Sequence, residues 1–224
     1  MCGRFTLTTP TQNLATLFDL ESAPSLEPRY NIAPTQAVAV VRLNREGSRR
    51  EFTLMRWGLI PSWAKDPAIG NALINARAET LAEKPSFRSA FKRRRCLIPA
   101  DGFFEWQKLE KRKQPYFIGL KDYRPFAFAG LWEHWQGGDG SVVDSCTIIT
   151  TTANERVQRL HDRMPVILQP ADYADWLDAK TPVDVLLHLL RPYAAEEMIA
   201  FPVSAIVSNP ANDLPACVTP LESS

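Results

Sequence analysis

A cysteine stands at position 2, directly behind the initiator Met, in the run MCGRF. A small residue after Met permits removal of the initiator, which leaves Cys2 with a free α-amine beside its thiol. The amine has a reference pKa of ~7.7–8.0 and the thiol ~8.5, so both are partly nucleophilic near neutral pH. An aldehyde meeting this pair forms an imine with the amine, and the thiol then closes a five-membered thiazolidine. An internal cysteine has no such amine, and a lysine can form the imine but not the ring. Position alone also fits an ordinary small second residue, so the chemistry needs further groups.

Three segments could supply them. INARAET places Asn75, Arg77 and Glu79 in a run of small residues. ADGFFEWQ puts Glu105 between Phe104 and Trp106, which in a strand point to the opposite face. An inward Glu105 should have its pKa raised by desolvation, which suits acid–base work. LHDRMP brings His161, Asp162 and Arg163 together. Each also has a plain reading: Asn75 as a turn cap, Glu105 as a partner for an arginine, His161 as a helix-end histidine.

The elements that must position these groups can be read from pattern. TQNLATLFDL predicts a short helix with Leu14, Leu17 and Phe18 on one side, and SAPSLEPRYNIAPTQ reads as irregular. QAVAVVRL and EFTLMRWGL predict a hairpin about the polar turn NREGSRR. IPSWAKDPAIGNALINARAET is a long irregular stretch, of a kind that is usually functional. SFRSAFKRRR predicts a helix, and CLIPADGFFEWQ, PYFIGL, PFAFAGLW and DSCTIITT predict strands. TTANERVQRLHDRM predicts a helix capped by Thr152 or Asn154, with PVIL a strand after it. PADYADWL and PVDVLLHLL predict helices with Pro near their starts, and FPVSAIVS a last strand. The sum is an α+β fold: a twisted, mainly antiparallel sheet or partial β-barrel with peripheral helices. The 224 residues fit a single domain, 1–224.

Composition narrows the partners. A formal net charge of +1 argues against a generic polyanion binder, so a nucleic-acid site must be a local basic patch on a balanced surface. No apolar run reaches the ~18–20 residues of a membrane span, and no secretory signal opens the chain. A cytoplasmic monomer is expected, associated with the nucleoid when bound to DNA. The four cysteines and three histidines are dispersed, so no metal site, no disulfide and no cofactor is expected. Cys96 and Cys146, in apolar runs, read as small buried hydrophobes. Trp57, Trp106 and Trp132 read as core. KRRR (Lys92 to Arg95) and EKRK around Lys111 read as solvated charge.

In order along the chain, MCGRF, RYNIAP, WGLIPSWAKD, NARAET, ADGFFEW and HDRMP together resemble the SOS-response-associated peptidase family, also called abasic-site processing proteins. The resemblance covers nearly the whole chain. It implies binding of single-stranded DNA containing abasic sites and a covalent crosslink from Cys2 to the ring-opened sugar, whose C1′ is an aldehyde. It makes Cys2 the nucleophile and Asn75 the residue that holds the sugar. Glu105 would position the amine and move protons. His161 would shuttle the proton in sugar opening, and in β-elimination where a lyase step cleaves the strand. The same resemblance places Arg4, Arg77 and Arg163 on phosphates, in the bidentate geometry that suits arginine. Pro34 and Trp63 would stack on bases, Lys84 or Arg88 in EKPSFR would add a basic contact, and Asn31 and Thr150 would contact the backbone.

Two other functions fit the same residues. Cys2, His161 and Asn75 are the types of a cysteine (auto)peptidase, with Cys2 as N-terminal nucleophile. A passive single-strand binding module would use only the Arg and Trp surface. Peptide turnover distinguishes the first, and indifference to Cys2 the second.

Overall fold

The β-branched run AVAVVRL and the returning run REFTLMRW flank a polar turn, and the hairpin they predict forms in unbroken register from Ala37↔Arg56 to Leu43↔Arg50. Asn44 closes its turn, its side-chain oxygen accepting from the amides of Ser48 and Arg49. In the computed structural model, which describes residues 2–110 and 112–221, the first half of the chain runs β1 (Phe5–Leu7), α1 (Thr11–Phe18), β2 (Arg29–Ile32), β3 (Ala37–Leu43), β4 (Arg50–Trp57), β5 (Asn75–Arg77), α2 (Arg88–Arg93), β6 (Arg95–Ala100) and β7 (Gly102–Lys108). The second half runs β8 (Lys113–Leu120), β9 (Phe126–Gln136), β10 (Val142–Thr152), α3 (Glu155–Gln158), β11 (Arg163–Pro165), β12 (Ile167–Leu168), α4 (Tyr173–Leu177), α5 (Val183–Leu189) and β13 (Met198–Pro202). Short 3₁₀ turns fill several of the connections.

Five strands close into a barrel: β4 pairs β3, β3 pairs β6, β6 pairs β9, β9 pairs β10, and β10 returns to β4. Only the β10–β4 seam in this ring is parallel. The strands β5, β11 and β12 extend the barrel wall, with β5 and β11 both beside the C-terminal half of β10. A second sheet, in the order β13-β8-β7-β1-β2, is antiparallel throughout. The architecture is therefore α+β and mainly antiparallel, and the expected partial barrel is a closed one.

Aromatic packing welds the second sheet to the barrel. Phe5 on β1 meets the rings of Trp57 and Phe128 edge-on, with centroids 5.2 and 5.7 Å apart, and Phe103 on β7 meets Phe128 at 6.1 Å. Such pairs contribute ~0.5–1.5 kcal/mol each beyond area burial. Phe104 and Trp106 face away, into a smaller cluster with Phe117, Val203, Val207 and Cys217. The alternation of β7 thus leaves Phe103 and Glu105 on the side facing the barrel.

Several expectations are corrected. The segment from Thr151 to Met164 is not one helix: β10 continues through Thr152, α3 spans four residues, and Arg163–Pro165 pairs back on β10. Asn154 is the cap, its side chain accepting from the amides of Arg156 and Val157. The return of β11 to β10 stops the helix and leaves His161 in a connecting loop. FPVSAIVS is a strand only to Pro202, after which Ser204 caps a 3₁₀ turn. RYNIAP carries β2 in a stretch read as irregular.

KRRR is also corrected. Lys92 and Arg93 are exposed, but Arg94 pairs with buried Glu133 at 2.8 Å. Arg95 is buried and donates to the carbonyls of Phe91, Lys92, Trp176 and Asp178. Those carbonyls lie at the C-terminal ends of α2 and α4, where a cation is favoured, and burial pulls its pKa down to about 10. Trp57 is fully buried, whereas Trp106 is half-buried and Trp132 lies half-buried under Arg42, 4.2 Å away. Lys111 lies outside the described residues.

Candidate functional site

Cys2, in the run leading into β1, is fully buried. The pairing of β1 with β7 extends backward, since Phe104 donates its amide to the carbonyl of Arg4 at 2.9 Å. This register brings the chain start alongside Glu105, which is only 4% exposed. Burial pushes the Cys2 thiol far above the usual thiol range, and the negative charge of Glu105 adds to that rise.

The barrel supplies the next group. The NAR run is too short to show a strand period, yet it pairs in parallel with β10 through Ile148↔Asn75, Ile149↔Ala76 and Thr150↔Arg77. Asn75 is thereby fixed on the barrel edge, where its Nδ2 donates to the Cys2 carbonyl at 2.8 Å. That bond joins the two sheets at residue 2. The Oδ1 of Asn75 is buried and accepts from no group among the described residues. Cys2, Asn75 and Glu105 are therefore gathered from three separate segments.

His161 follows α3 near the same end of β10, beside β11. Its Nδ1 lies 3.0 Å from the amide nitrogen of Arg163 and 2.7 Å from Oδ1 of Asp162. The amide contact needs a lone pair on Nδ1 and the carboxylate contact needs a proton there, so they serve different protonation forms. Among the described residues, no hydrogen bond links His161 to Cys2.

The expected DNA contacts divide by exposure. Trp63 is 58% exposed in the loop after β4, which is held by Trp135 donating to the Ala64 carbonyl at 2.7 Å. Arg77 and Lys84 are exposed, and Pro34 is half-buried. Arg4 is half-buried, donates to Asn31 Oδ1 and the Val207 carbonyl, and lies 5.7 Å from the Trp106 ring. Burial lowers its pKa.

Asn31 and Thr150, expected to touch the DNA backbone, are completely buried. Asn31 spends its amide on Arg4 and on the carbonyls of Val207, Asn209 and Asn212. Thr150 accepts from Arg163 through its carbonyl at 2.7 Å. Each of the two therefore holds an arginine, Asn31 holding Arg4 and Thr150 holding Arg163. Arg163 itself forms a bidentate pair with Glu79 at 2.6 and 2.9 Å.

Pattern reading missed Glu79 as a partner and Asp213 as an anchor. Asp213 accepts from the amides of Tyr30 and Asn31 and pairs with Arg29, fixing β2 beside Arg4. Glu79 had a signal, two residues after Arg77, but Asp213 is 184 positions from Arg29 and had none.

A cleft of about 1340 Å³ lies at the opposite end of β10, among Arg42, Arg49, Arg94, Glu133 and Asp144. Three of its cations are paired, Arg42 with Glu51, Arg49 with Glu21 and Arg94 with Glu133. Among the described residues no group of three or more His, Cys, Asp or Glu could hold a metal ion. No described helix is long and apolar enough to cross a membrane.

A buried cysteine held between a closed barrel and an antiparallel sheet has close counterparts. Residues 1–210 match the family described as SOS response associated peptidase (SRAP). The abasic site processing protein YoqW of Bacillus subtilis (strain 168) is 47% identical over 223 residues, covering 97% of this chain and 99% of that protein. The abasic site processing protein HMCES of Gallus gallus is 34% identical over 226 residues, covering 87% and 67%. A crystal structure of a Bacteroides thetaiotaomicron protein superposes with a TM-score of 0.89 at 26% identity, covering 99% of this chain and all of that one. The chain belongs to the SRAP family.

Proposed function

We propose that this protein processes abasic sites in single-stranded DNA by forming a covalent thiazolidine through Cys2, once Met1 has been removed. The relatives whose names describe abasic site processing support the substrate class. The convergence of Cys2, Asn75 and Glu105 carries the chemistry, because an amide holds the residue whose thiol lies in the field of a buried carboxylate. Met1 itself lies outside the described residues.

The ring-opened lesion presents an aldehyde at C1′. The α-amine of Cys2 adds to that carbon, and loss of water gives the imine. Sγ then bonds to the same carbon while the thiol proton passes to nitrogen, closing the ring. One water is released overall, and no oxidant or reductant is consumed. Glu105 accepts the proton of the ammonium form and returns it to the departing hydroxyl, a role often worth a rate factor of ~10²–10⁴. Asn75 fixes residue 2 through its Nδ2 and offers Oδ1 to a sugar hydroxyl. His161 moves the proton in sugar opening, and in β-elimination where strand cleavage accompanies crosslinking.

Arg77, Arg4, Arg163 and Lys84 serve the phosphates, with Asn31 and Thr150 supporting two of them. Trp63 and Pro34 stack on flanking bases, a contact worth ~1–3 kcal/mol per base. A cysteine peptidase would need a thiolate at Cys2. Among the described residues no hydrogen bond links Cys2 to His161, the base such a peptidase would use, which favours the aldehyde reading.

The test is incubation with single-stranded DNA carrying one abasic site, followed by denaturing electrophoresis. One denaturant-stable adduct per protein molecule is expected, and Cys2→Ser should abolish it. The same band with Cys2→Ser refutes the mechanism, and peptide turnover without an adduct would establish the peptidase instead.

A further inference from the structure

The guanidinium of Arg163, assigned above to a phosphate, already holds an anion. Its two terminal nitrogens hold the two carboxylate oxygens of Glu79 at 2.6 and 2.9 Å. This is the fork geometry in which a guanidinium also receives two phosphate oxygens. A third contact, from Nη2 to the Thr150 carbonyl at 2.7 Å, ties the guanidinium to β10 independently of Glu79. Exposure is unequal: the Arg163 side chain is 13% exposed and that of Glu79 is 48%. The carboxylate can therefore swing into water while the guanidinium stays fixed.

Glu79 lies in the 3₁₀ turn Ala78–Thr80 directly after β5, two residues beyond exposed Arg77. Both arginines hold its pKa below the usual carboxylate range, Arg163 by hydrogen bonding and charge, Arg77 by charge alone. One carboxylate thus offsets two of the cations assigned to phosphates.

We infer that Glu79 is a specificity-determining residue, an internal counter-anion that occupies the phosphate position on Arg163 in the free protein and weakens the hold on undamaged strands. The inference rests on the single-stranded DNA reading above. Phosphates are the same at damaged and intact positions, so phosphate contacts cannot find a lesion. Opposing each of them shortens visits to intact DNA. Where an aldehyde is present, the covalent bond supplies the retention that the phosphates do not.

The experiment measures equilibrium binding of undamaged single-stranded oligonucleotide across a series of salt concentrations. Glu79→Gln keeps an acceptor for Arg163 but removes the charge, and Glu79→Ala removes both. Each should bind roughly threefold more tightly than wild type at low salt. The slope of log K against log salt should steepen by about 0.7, one additional single-strand phosphate. Glu79→Asp should retain the wild-type slope, and in an Arg163→Ala background the gain from Glu79→Gln should shrink. Unchanged or weaker binding by both Gln and Ala variants overturns the inference while leaving the DNA reading intact. Failure of the wild-type protein and of every variant to bind single-stranded DNA, intact or abasic, overturns both.

Discussion

A thiol enclosed by protein loses the solvation its anion needs, and the Glu105 carboxylate adds repulsion, so Cys2 is held as a neutral S–H. That state suits a reaction in which the amine attacks first and the thiol adds to an imine already formed. Glu105 then has two effects of opposite use: it raises the thiol pKa, and in the proposed mechanism it is the base for the amine. Replacing it by Gln removes one cause of the thiol shift but leaves the larger one, burial. Glu105→Gln is therefore expected to lower the Cys2 thiol pKa, seen in thiolate ultraviolet absorbance. It should also slow adduct formation roughly a hundredfold, with DNA affinity by fluorescence anisotropy within about twofold of wild type. A collapse of affinity in this variant would make Glu105 a structural residue.

Short elements acquire their geometry from longer ones. β5 has three residues and β11 three, and each is held by pairing with the eleven-residue β10. The Trp63 loop depends on a similarly local feature. Gly58 has φ +127°, and its amide donates to the Cys146 carbonyl at 2.8 Å. A Cβ there would lie 2.5 Å from the carbonyl oxygen of Gly70. Gly58→Ala should cost at least ~2 kcal/mol in denaturant unfolding through strain and clash, and should weaken single-strand binding by displacing the loop. Gly47→Ala is the control: φ is +70°, but nothing lies within 4 Å of the added methyl. It should cost only ~1 kcal/mol. Equal effects from the two would remove the close approach as the cause.

Across the whole molecule, burial sets a pH limit. Cys2, Cys96 and Cys146 are fully enclosed, and burial pushes all three thiols well above the ordinary range; Tyr173 shifts the same way. In the unfolded chain these thiols ionise near pH ~8.5. Above that pH the unfolded state has released protons that the folded state retains, so stability falls as pH rises. The stabilisation is complete below the unfolded thiol pKa and is lost on the way to the folded one. The melting temperature should therefore decline steadily from about pH 8.5 upward, and Cys96→Ala with Cys146→Ala should flatten that decline even while lowering stability at neutral pH. A slope indifferent to both substitutions would place the alkaline loss elsewhere.

The sequence by itself determined the place of Cys2 directly behind the initiator Met, the β3–β4 hairpin, the face of β7 that carries Glu105, and the segments that provide Asn75 and His161. These are local matters of residue type, alternation and turn chemistry, visible within a dozen residues. Only the tertiary structure decided that the barrel closes, because closure is a pairing of β10 with both β4 and β9 that no local pattern encodes. It also replaced a long helix by a four-residue one, since pairing with β10 outweighed helical propensity at Arg163–Pro165. It buried Arg95 where local composition suggested solvated charge, because two helix ends converge on it. Finally, it withdrew Asn31 and Thr150 from the surface and set Glu79 against Arg163. Partnerships across such sequence distances depend on how the sheets assemble, and composition carries no trace of them.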